Sequence, residues 1–380
     1  MTEKYLGENI PKLGFGYMRL PLRDGKFDEE AVNGMVDEFL AHGFSYFDTA
    51  YIYEGSEEAL CRSLVRRYPR ERFQIATKLA VMMGMSKPEQ QQAQFDISLN
   101  RLGVDFVDFY LVHGLNGEFI KIADSLDTWG YMRGVKEKGL AKHIGFSFHG
   151  TPEELDDILT KHPEMEFAQL QINYLDWENP EVQSRRLYET VRKHNTPFTI
   201  MEPTKAGLLA GGESKAAAFL KEANPDASVA SWAFRFAGEL EGLITVLSGM
   251  GNLEQIRDNA GTFKNFRPLT AKERALIGEA VGIINATPRI PCTACRYCLT
   301  HCPKKIQIPT FIKIYNDLLV YKDRSSSGYS YMLNTGAKSA KPADCARCKE
   351  CERHCPQHIE ISDTLAKLVA ELDPVRSQFV

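Results

Sequence analysis

Two stretches near the end of the chain repeat one arrangement of thiols. Cys292, Cys295, Cys298 and Cys302 are followed by Pro303, and Cys345, Cys348, Cys351 and Cys355 by Pro356; both sets read Cys-x2-Cys-x2-Cys-x3-Cys-Pro. Three cysteines two residues apart wrap a loop around one object, sulfurs converging and backbone amides pointing inward, and the proline ends the loop. Zinc also takes four thiolates, but its sites come as two Cys-x2-Cys pairs split by a longer loop. A quartet closed by proline is the spacing of iron–sulfur ligation. Two clusters in one chain imply electron transfer, because a single cluster would suffice to hold a fold. Eight of the nine cysteines belong to these quartets, which makes disulfides the weaker reading. The ninth, Cys61 in SEEALCRSL, reads as a buried structural thiol on an amphipathic helix.

A second set of reactive side chains lies far upstream. Asp48 ends FSYFD, Lys78 ends RFQIATK and His113 ends FVDFYLVH, so each polar group falls where an apolar run stops. Tyr53 follows Asp48 by five residues, close enough for its loop to fold back. Together they support carbonyl reduction. A tyrosine of unperturbed pKa about 10 keeps its proton at neutral pH and can donate it to a forming alkoxide. A buried cation beside it, Lys78, lowers that pKa, and a carboxylate, Asp48, holds the cation. His113 donates a hydrogen bond that orients the carbonyl oxygen. None of these groups supplies hydride, so a cofactor is implied. Tyr51, the near neighbour of Tyr53, is assigned a packing role.

The elements that must position these groups repeat from about residue 44 to 265. Short β-branched or aromatic runs alternate with helical periods: FSYFDT, RFQIATK, FVDFYLVH, AKHIGFS, FAQLQIN, PFTIMEP and LITVLSG, with a weak eighth near GTFKNF. Eight strand–helix units in about 250 residues make a (β/α)8 TIM barrel, whose active site lies at the carboxyl ends of its strands. An open doubly wound sheet would want a Gly-rich dinucleotide turn after an early strand, and none is present. LGFGYMRLPLRDGKF, before the first unit, reads as a hairpin turning at Asp24-Gly25 that plugs the barrel floor. Two prolines in NATPRIPC break the helical pattern, which sets a barrel domain at residues 1–285 and a small, mainly α-helical cluster domain at 286–380. Within the latter FIKIYNDLLVYKD reads as a helix and KDRSSSGYS as a flexible loop.

The chain has 380 residues, 43% of them hydrophobic and 25% charged, with a net charge of −4. That balance argues against nucleic-acid binding. The charge is uneven: from Thr287 onward it is +5, and before that −9. No apolar run approaches a membrane span and the N-terminus has no signal pattern, so the expected location is cytoplasmic.

Asp48-Thr-Ala-x-x-Tyr53, Thr77-Lys78, LGVDFVDFYLVH ending at His113 and KGLAKHIGFS ending at Ser147 resemble, in that order, the motifs of the aldo-keto reductases across residues 8–270. The tail resembles that of the branch carrying a C-terminal two-cluster 4Fe-4S ferredoxin-like domain. The resemblance implies a barrel that binds NAD(P)H without a Rossmann fold, with Asp48, Tyr53, Lys78 and His113 as its catalytic tetrad. It implies Ser147 and Gln171 as the nicotinamide carboxamide site, although Phe148 stands where the family usually has Asn. It puts Met201 where many members stack a tyrosine on the nicotinamide. It aligns VLSGMGNLEQIRDN with the adenosine loop, implying Ser248, Met250, Gln255 and Asn259 as cofactor contacts. Only Arg257 remains there as a cation for a 2′-phosphate, which favours NADH over NADPH. As in two-cluster ferredoxins, the fourth cysteine crosses over: one cluster takes Cys292, Cys295, Cys298 and Cys355, the other Cys345, Cys348, Cys351 and Cys302.

Nicotinamide moves two electrons as hydride and a cluster moves one. The leading expectation is therefore an NAD(P)H-linked reductase of a small aldehyde or ketone (or an oxidant of the alcohol), its clusters exchanging electrons with a redox protein partner or a bound flavin. The alternatives are clusters that feed electrons to a substrate in the barrel without nicotinamide, and a non-enzymatic electron-transfer module on a degenerate barrel.

Overall fold

The computed structural model describes residues 6, 9–23, 26–292, 294–335 and 340–376. The chain opens with β1 (Leu13–Gly16) and passes through a small antiparallel hairpin of β2 (Leu22–Arg23) and β3 (Lys26–Phe27). It then lays down β4 (Tyr46–Asp48), β5 (Gln74–Leu79), β6 (Val107–Leu115), β7 (Ala141–Phe148), β8 (Phe167–Gln171), β9 (Phe198–Met201) and β10 (Leu243–Ser248). All but the hairpin strands pair in parallel in chain order, and β10 closes onto β1. The (β/α)8 barrel expected from the repeat is therefore present. Its strands are β-branched and aromatic because both faces are covered; all nine residues of β6 are buried.

One expected strand was misplaced. GTFKNF lies largely in the helix Leu253–Lys264, with Phe263 on its buried face, and the eighth strand is β1. LGFG was read as part of a hairpin because two glycines in four residues carry little strand propensity. Close packing explains the first of them: a Cβ on Gly14 would meet Leu247 at 2.8 Å and Tyr46 at 3.1 Å. The hairpin itself follows the carboxyl end of β1, and its Phe27 packs over Gly55 in the loop after β4, so it is on the rim and not the floor. Its turn, Asp24-Gly25, lies outside the described residues. The floor is packed by the residues before β1: Leu6 and Ile10 rest against Tyr46, Ala76, Phe109, Leu111 and Phe167.

The chain divides into two compact units that do not follow a single cut: residues 1–204 with 231–270, and residues 205–230 with 271–380. In the second unit the helices Ile308–Tyr321, Arg324–Asn334 and Ile361–Arg376 pack around Phe311, Tyr315, Leu318, Tyr331, Leu365 and Leu368. The segment read as a flexible loop, KDRSSSGYS, is the start of the middle helix. Asp323 caps it, its Oδ1 accepting from the Ser326 amide at 3.0 Å, and Ser327, Gly328 and Tyr331 form its buried face. Capping and tertiary packing override the weak helix propensity of three serines. No helix of the described residues is long and apolar enough to cross a membrane.

Candidate active site and cluster cradles

Side chains alternate along a barrel strand, so an interior residue low on a strand has its successors in the layers above. Tyr46, Ala76, Leu111 and Phe167 form the apolar lower interior. Two residues on, or four for β8, the same faces carry Asp48, Lys78, His113 and Gln171 at or near the strand ends, with Ser147 next to last in β7 and Met201 last in β9. The polar layer sits on a sealed apolar floor.

Lys78 is 1% exposed and Asp48 4%, so neither charge could stay there alone. The Lys78 ammonium donates to Asp48 Oδ1 at 2.7 Å and to the Thr49 carbonyl at 2.7 Å. Burial pushes the Asp48 carboxyl above its usual range, and the Lys78 charge pulls it back. The Tyr53 ring lies 5.4 Å from the Lys78 ammonium and meets the His113 ring edge-on at 5.8 Å. Burial first, then the Lys78 charge and His149, push the His113 pKa down to about 3, so this imidazole is neutral at physiological pH. Asp48 Oδ2 and His113 Nδ1 are buried without hydrogen-bond partners. Tyr51 is turned elsewhere, its ring 4.8 Å from the Arg101 guanidinium.

The residues expected to hold a dinucleotide divide into two groups. Ser147, Gln171 and Met201 stand at the mouth: Ser147 Oγ accepts from the Gly114 amide at 2.7 Å, and Gln171 Nε2 donates to Asp176 Oδ2 at 2.9 Å. Gln169 Nε2 approaches Met201 Sδ at 3.6 Å. Phe148 is fully buried with its ring against Phe146. The other group lies on β10 and the helix after it. Asn259 Nδ2 donates to Ser248 Oγ at 3.1 Å, Met250 is buried, and Gln255 Oε1 accepts from the Gly251 amide at 2.7 Å. Arg257 is engaged by both carboxylate oxygens of Glu38, at 2.9 and 3.3 Å.

The cysteines gather across the two cassettes. Cys292, Cys295, Cys298 and Cys355 line one open space of about 320 Å³, and Cys302, Cys345, Cys348 and Cys351 line another of about 330 Å³. Among the described residues no three Cys, His, Asp or Glu side chains converge tightly enough to hold one metal ion. Burial and the neighbouring thiols push Cys298 up to about 11, and burial with Glu352 and nearby thiols pushes Cys351 up to about 12. Burial favours the neutral form of these two thiols, and the cationic core of an iron–sulfur cluster would offset it. The cassettes also share their backbone: Ala294, Arg296 and Lys305 have positive φ, and so do Arg347, Lys349 and His358, each 53 residues on. His301 and His354 stack at 3.5 Å between ring centroids.

Residues 12–281 match the model of the aldo/keto reductase family, most of the chain. The chain belongs to that family. Residues 291–360 match the model of a 4Fe-4S dicluster domain, so this is an aldo-keto reductase with a cluster-binding tail. Among its relatives is an aldo-keto reductase of Mycolicibacterium vanbaalenii, 28% identical over 275 residues, covering 70% of this chain and 87% of the relative. One of Mycolicibacterium smegmatis is 34% identical over 156 residues, 40% of this chain and 49% of the relative; there the chain spans about half the length of the relative. Solved structures share the fold: the holo form of aldo-keto reductase AKR11C1 from Bacillus halodurans has a TM-score of 0.58 at 23% identity, covering 72% of this chain and 93% of that one. An aldo-keto reductase from Klebsiella pneumoniae in complex with NADPH has a TM-score of 0.58 at 18% identity, covering 71% and 90%.

In this aldo-keto reductase the mouth holds polar residues that motif reading passed over. Asp176 is fully buried and accepts from Gln171 and, at 2.8 Å, from Asn173. A carboxylate only accepts, so it turns the Gln171 amide nitrogen toward itself whatever else binds. Arg19 runs past Gly249 and reaches Glu202 Oε1 at 3.7 Å. Asp176 had a signal, the Asn-x-x-Asp directly after β8; Arg19 sits beyond a strand that the sequence did not reveal.

Proposed function

We propose that the chain is an NAD(P)H-linked oxidoreductase that reduces a small aldehyde or ketone, or oxidises the corresponding alcohol, at the mouth of its barrel. Tyr53 gives its phenolic proton to the carbonyl oxygen. Lys78 stabilises the phenolate left behind, and Asp48 keeps Lys78 charged and in place. His113, neutral, donates a hydrogen bond that fixes the oxygen. Bound nicotinamide supplies the hydride; Ser147 and Gln171 would hold its carboxamide, Met201 would face its ring, and Ser248, Met250, Gln255 and Asn259 would line its adenosine end. NADH is favoured because Arg257, the cation available for a 2′-phosphate, is already held by Glu38. The observation that carries this reading is the 2.7 Å Lys78–Asp48 pair beside the Tyr53 ring.

We assign Cys292, Cys295, Cys298 and Cys355 to one 4Fe-4S cluster and Cys302, Cys345, Cys348 and Cys351 to the other. The clusters supply one-electron exchange with a redox protein partner or a bound flavin. The chemistry divides at residues 285/286, all barrel roles before and all cluster thiols after, and thiols kept for iron fit the cytoplasm. Tyr53→Phe should abolish carbonyl reduction with NADH or NADPH and leave the visible absorbance of the clusters unchanged. Turnover equal to that of the parent protein would retire the reading.

A further inference from the structure

The two cassettes form an internal comparison. They share cysteine spacing, the His-Cys-Pro ending and the left-handed residues at matching positions. They do not share charge. From Thr287 to Asn316 the chain carries five Lys or Arg and no Asp or Glu, while the matching stretch 53 residues later, Ala340 to Val369, carries five of each sign. Position by position, Tyr297 stands against Glu350, Leu299 against Glu352, and Lys304 against Gln357. Holding four thiols with this backbone therefore does not require an all-cationic surface; the second cassette does it with acids. The one-signed charge of the first has another cause.

Most of that charge is displayed: of the five cations only Lys313 makes an ion pair among the described residues, with Asp317. In the second cassette Arg347 pairs with Asp363 and Arg353 with Glu350, which leaves Lys349 as its exposed cation without an ion pair among the described residues. In the first, Arg296, Lys304 and Lys305 are all exposed and make no ion pair among the described residues. Arg296 lines the cradle of Cys292, Cys295, Cys298 and Cys355, and Lys304 lines that of Cys302, Cys345, Cys348 and Cys351. Between them Cys295 is exposed and Tyr297 is 61% exposed, an aromatic ring left in water beside a cluster thiol. Exposed tyrosine and arginine are enriched in protein interfaces, and unpaired lysines around them steer a partner of opposite charge. One-electron transfer falls steeply with distance, so a partner must approach where cluster thiols reach the surface.

We propose that the exposed strip Ala294–Gln307 is the docking surface for a small acidic one-electron carrier protein. The inference rests on the reading that the clusters exchange electrons with a partner, and names that partner's chemistry. In the encounter one electron leaves the reduced carrier and one enters a cluster; no bond forms or breaks. Complementary charge sets the rate and orientation of such encounters more than their final strength.

The test uses the cluster-loaded full chain and an acidic flavodoxin as probe. Affinity for oxidised flavodoxin is measured by calorimetry at a series of salt concentrations. The parent protein should bind, Lys304→Glu/Lys305→Glu should bind at least tenfold more weakly, and Lys367→Glu, the same kind of change on an exposed helix elsewhere in the unit, should bind like the parent. The differences should vanish at about 0.5 M salt and above, where screening is nearly complete over a few ångströms. Arg296→Gln/Lys304→Gln, a milder change for cluster retention, should lose about threefold, in keeping with a rim-charge effect. Equal affinity in all variants, salt-independent binding, or preference for a basic cytochrome over flavodoxin would overturn the proposal. Anaerobic mixing with flavodoxin hydroquinone separates the levels. Cluster bleaching at one common rate in all variants removes the docking surface and leaves electron exchange standing. Bleaching in none removes the electron-exchange reading and this inference with it.

Discussion

Lys78→Met tests whether the buried ion pair is both a structural and a chemical device. At 2.7 Å the Lys78–Asp48 attraction is roughly 6 kcal/mol at an effective dielectric constant of about 20, most of it offset by the cost of burying both charges. Methionine fills the space but leaves Asp48 with no counter-charge in a site where its Oδ2 already lacks a partner. Breaking one side of such a pair costs about 3–5 kcal/mol, a large share of a total stability of about 5–15 kcal/mol. Asp48→Asn/Lys78→Met removes both charges and should recover most of that loss. Carbonyl reduction should not recover: both variants should fall by about 10²–10⁴ in kcat/KM, the usual worth of a tuned proton donor. The assay is urea unfolding followed by tryptophan fluorescence, because all three tryptophans, Trp129, Trp177 and Trp232, lie in the barrel unit. If the single variant unfolds at the same urea concentration as the double, the coupling is not there. If the double variant turns over like the parent, the pair has no part in the proton transfer.

Three further outcomes follow from the same geometry. The folded pKa of His113, about 3, lies below the unfolded value of about 6.5, so its contribution to stability is full above about pH 6.5 and is lost as pH falls toward 3. Its protonation should therefore leave kcat/KM flat from about pH 5 to 8, and an inflection near 6.5 that disappears in His113→Asn would contradict a neutral imidazole. Cys355→Ser should empty the cradle of Cys292, Cys295 and Cys298 and halve the iron per chain; unchanged iron would show that the crossed assignment is wrong. Glu38→Ala should release Arg257 and raise the ratio of NADPH- to NADH-dependent turnover, and an unmoved ratio would place Arg257 away from the 2′ position.

What the sequence made legible was whatever depended on local pattern. Asp48, Lys78 and His113 stood out because each interrupts an apolar run, and a barrel has nowhere to put such a residue except the end of a strand. The two cysteine quartets were legible through the duplicated spacing, and the expected crossing of Cys302 and Cys355 came from the resemblance to two-cluster ferredoxins. β1 was not, because the demand for glycine at Gly14 comes from Leu247 and Tyr46, which are remote in sequence. The helix Arg324–Asn334 was hidden for a similar reason: Ser327, Gly328 and Tyr331 form a buried face that local propensity does not report. Ser147 and Gln171 were placed by family pattern, and their actual partners, Gly114 and Asp176, are facts of packing.

The charge at the barrel mouth narrows what can react there. Asp48 and Lys78 cancel, and His113 is neutral, so these three groups at the strand ends carry no net charge together. A neutral carbonyl enters such a layer without displacing a counter-ion. A carboxylate bound directly against it would meet no cation left over, since the Lys78 ammonium already faces Asp48 and the Thr49 carbonyl. Negative charge that develops during the reaction is different, because it appears on an oxygen beside donors already in position and needs no reorganisation to be stabilised. On the proposed chemistry, the site is thus matched to charge that forms in place and not to charge that arrives. The cluster cradles have the opposite requirement: each holds one thiol, Cys298 or Cys351, whose pKa burial raises and a cationic centre would lower. One chain meets both demands by separating them, with the buried Asp48–Lys78 pair in the barrel and the eight clustered thiols in the tail.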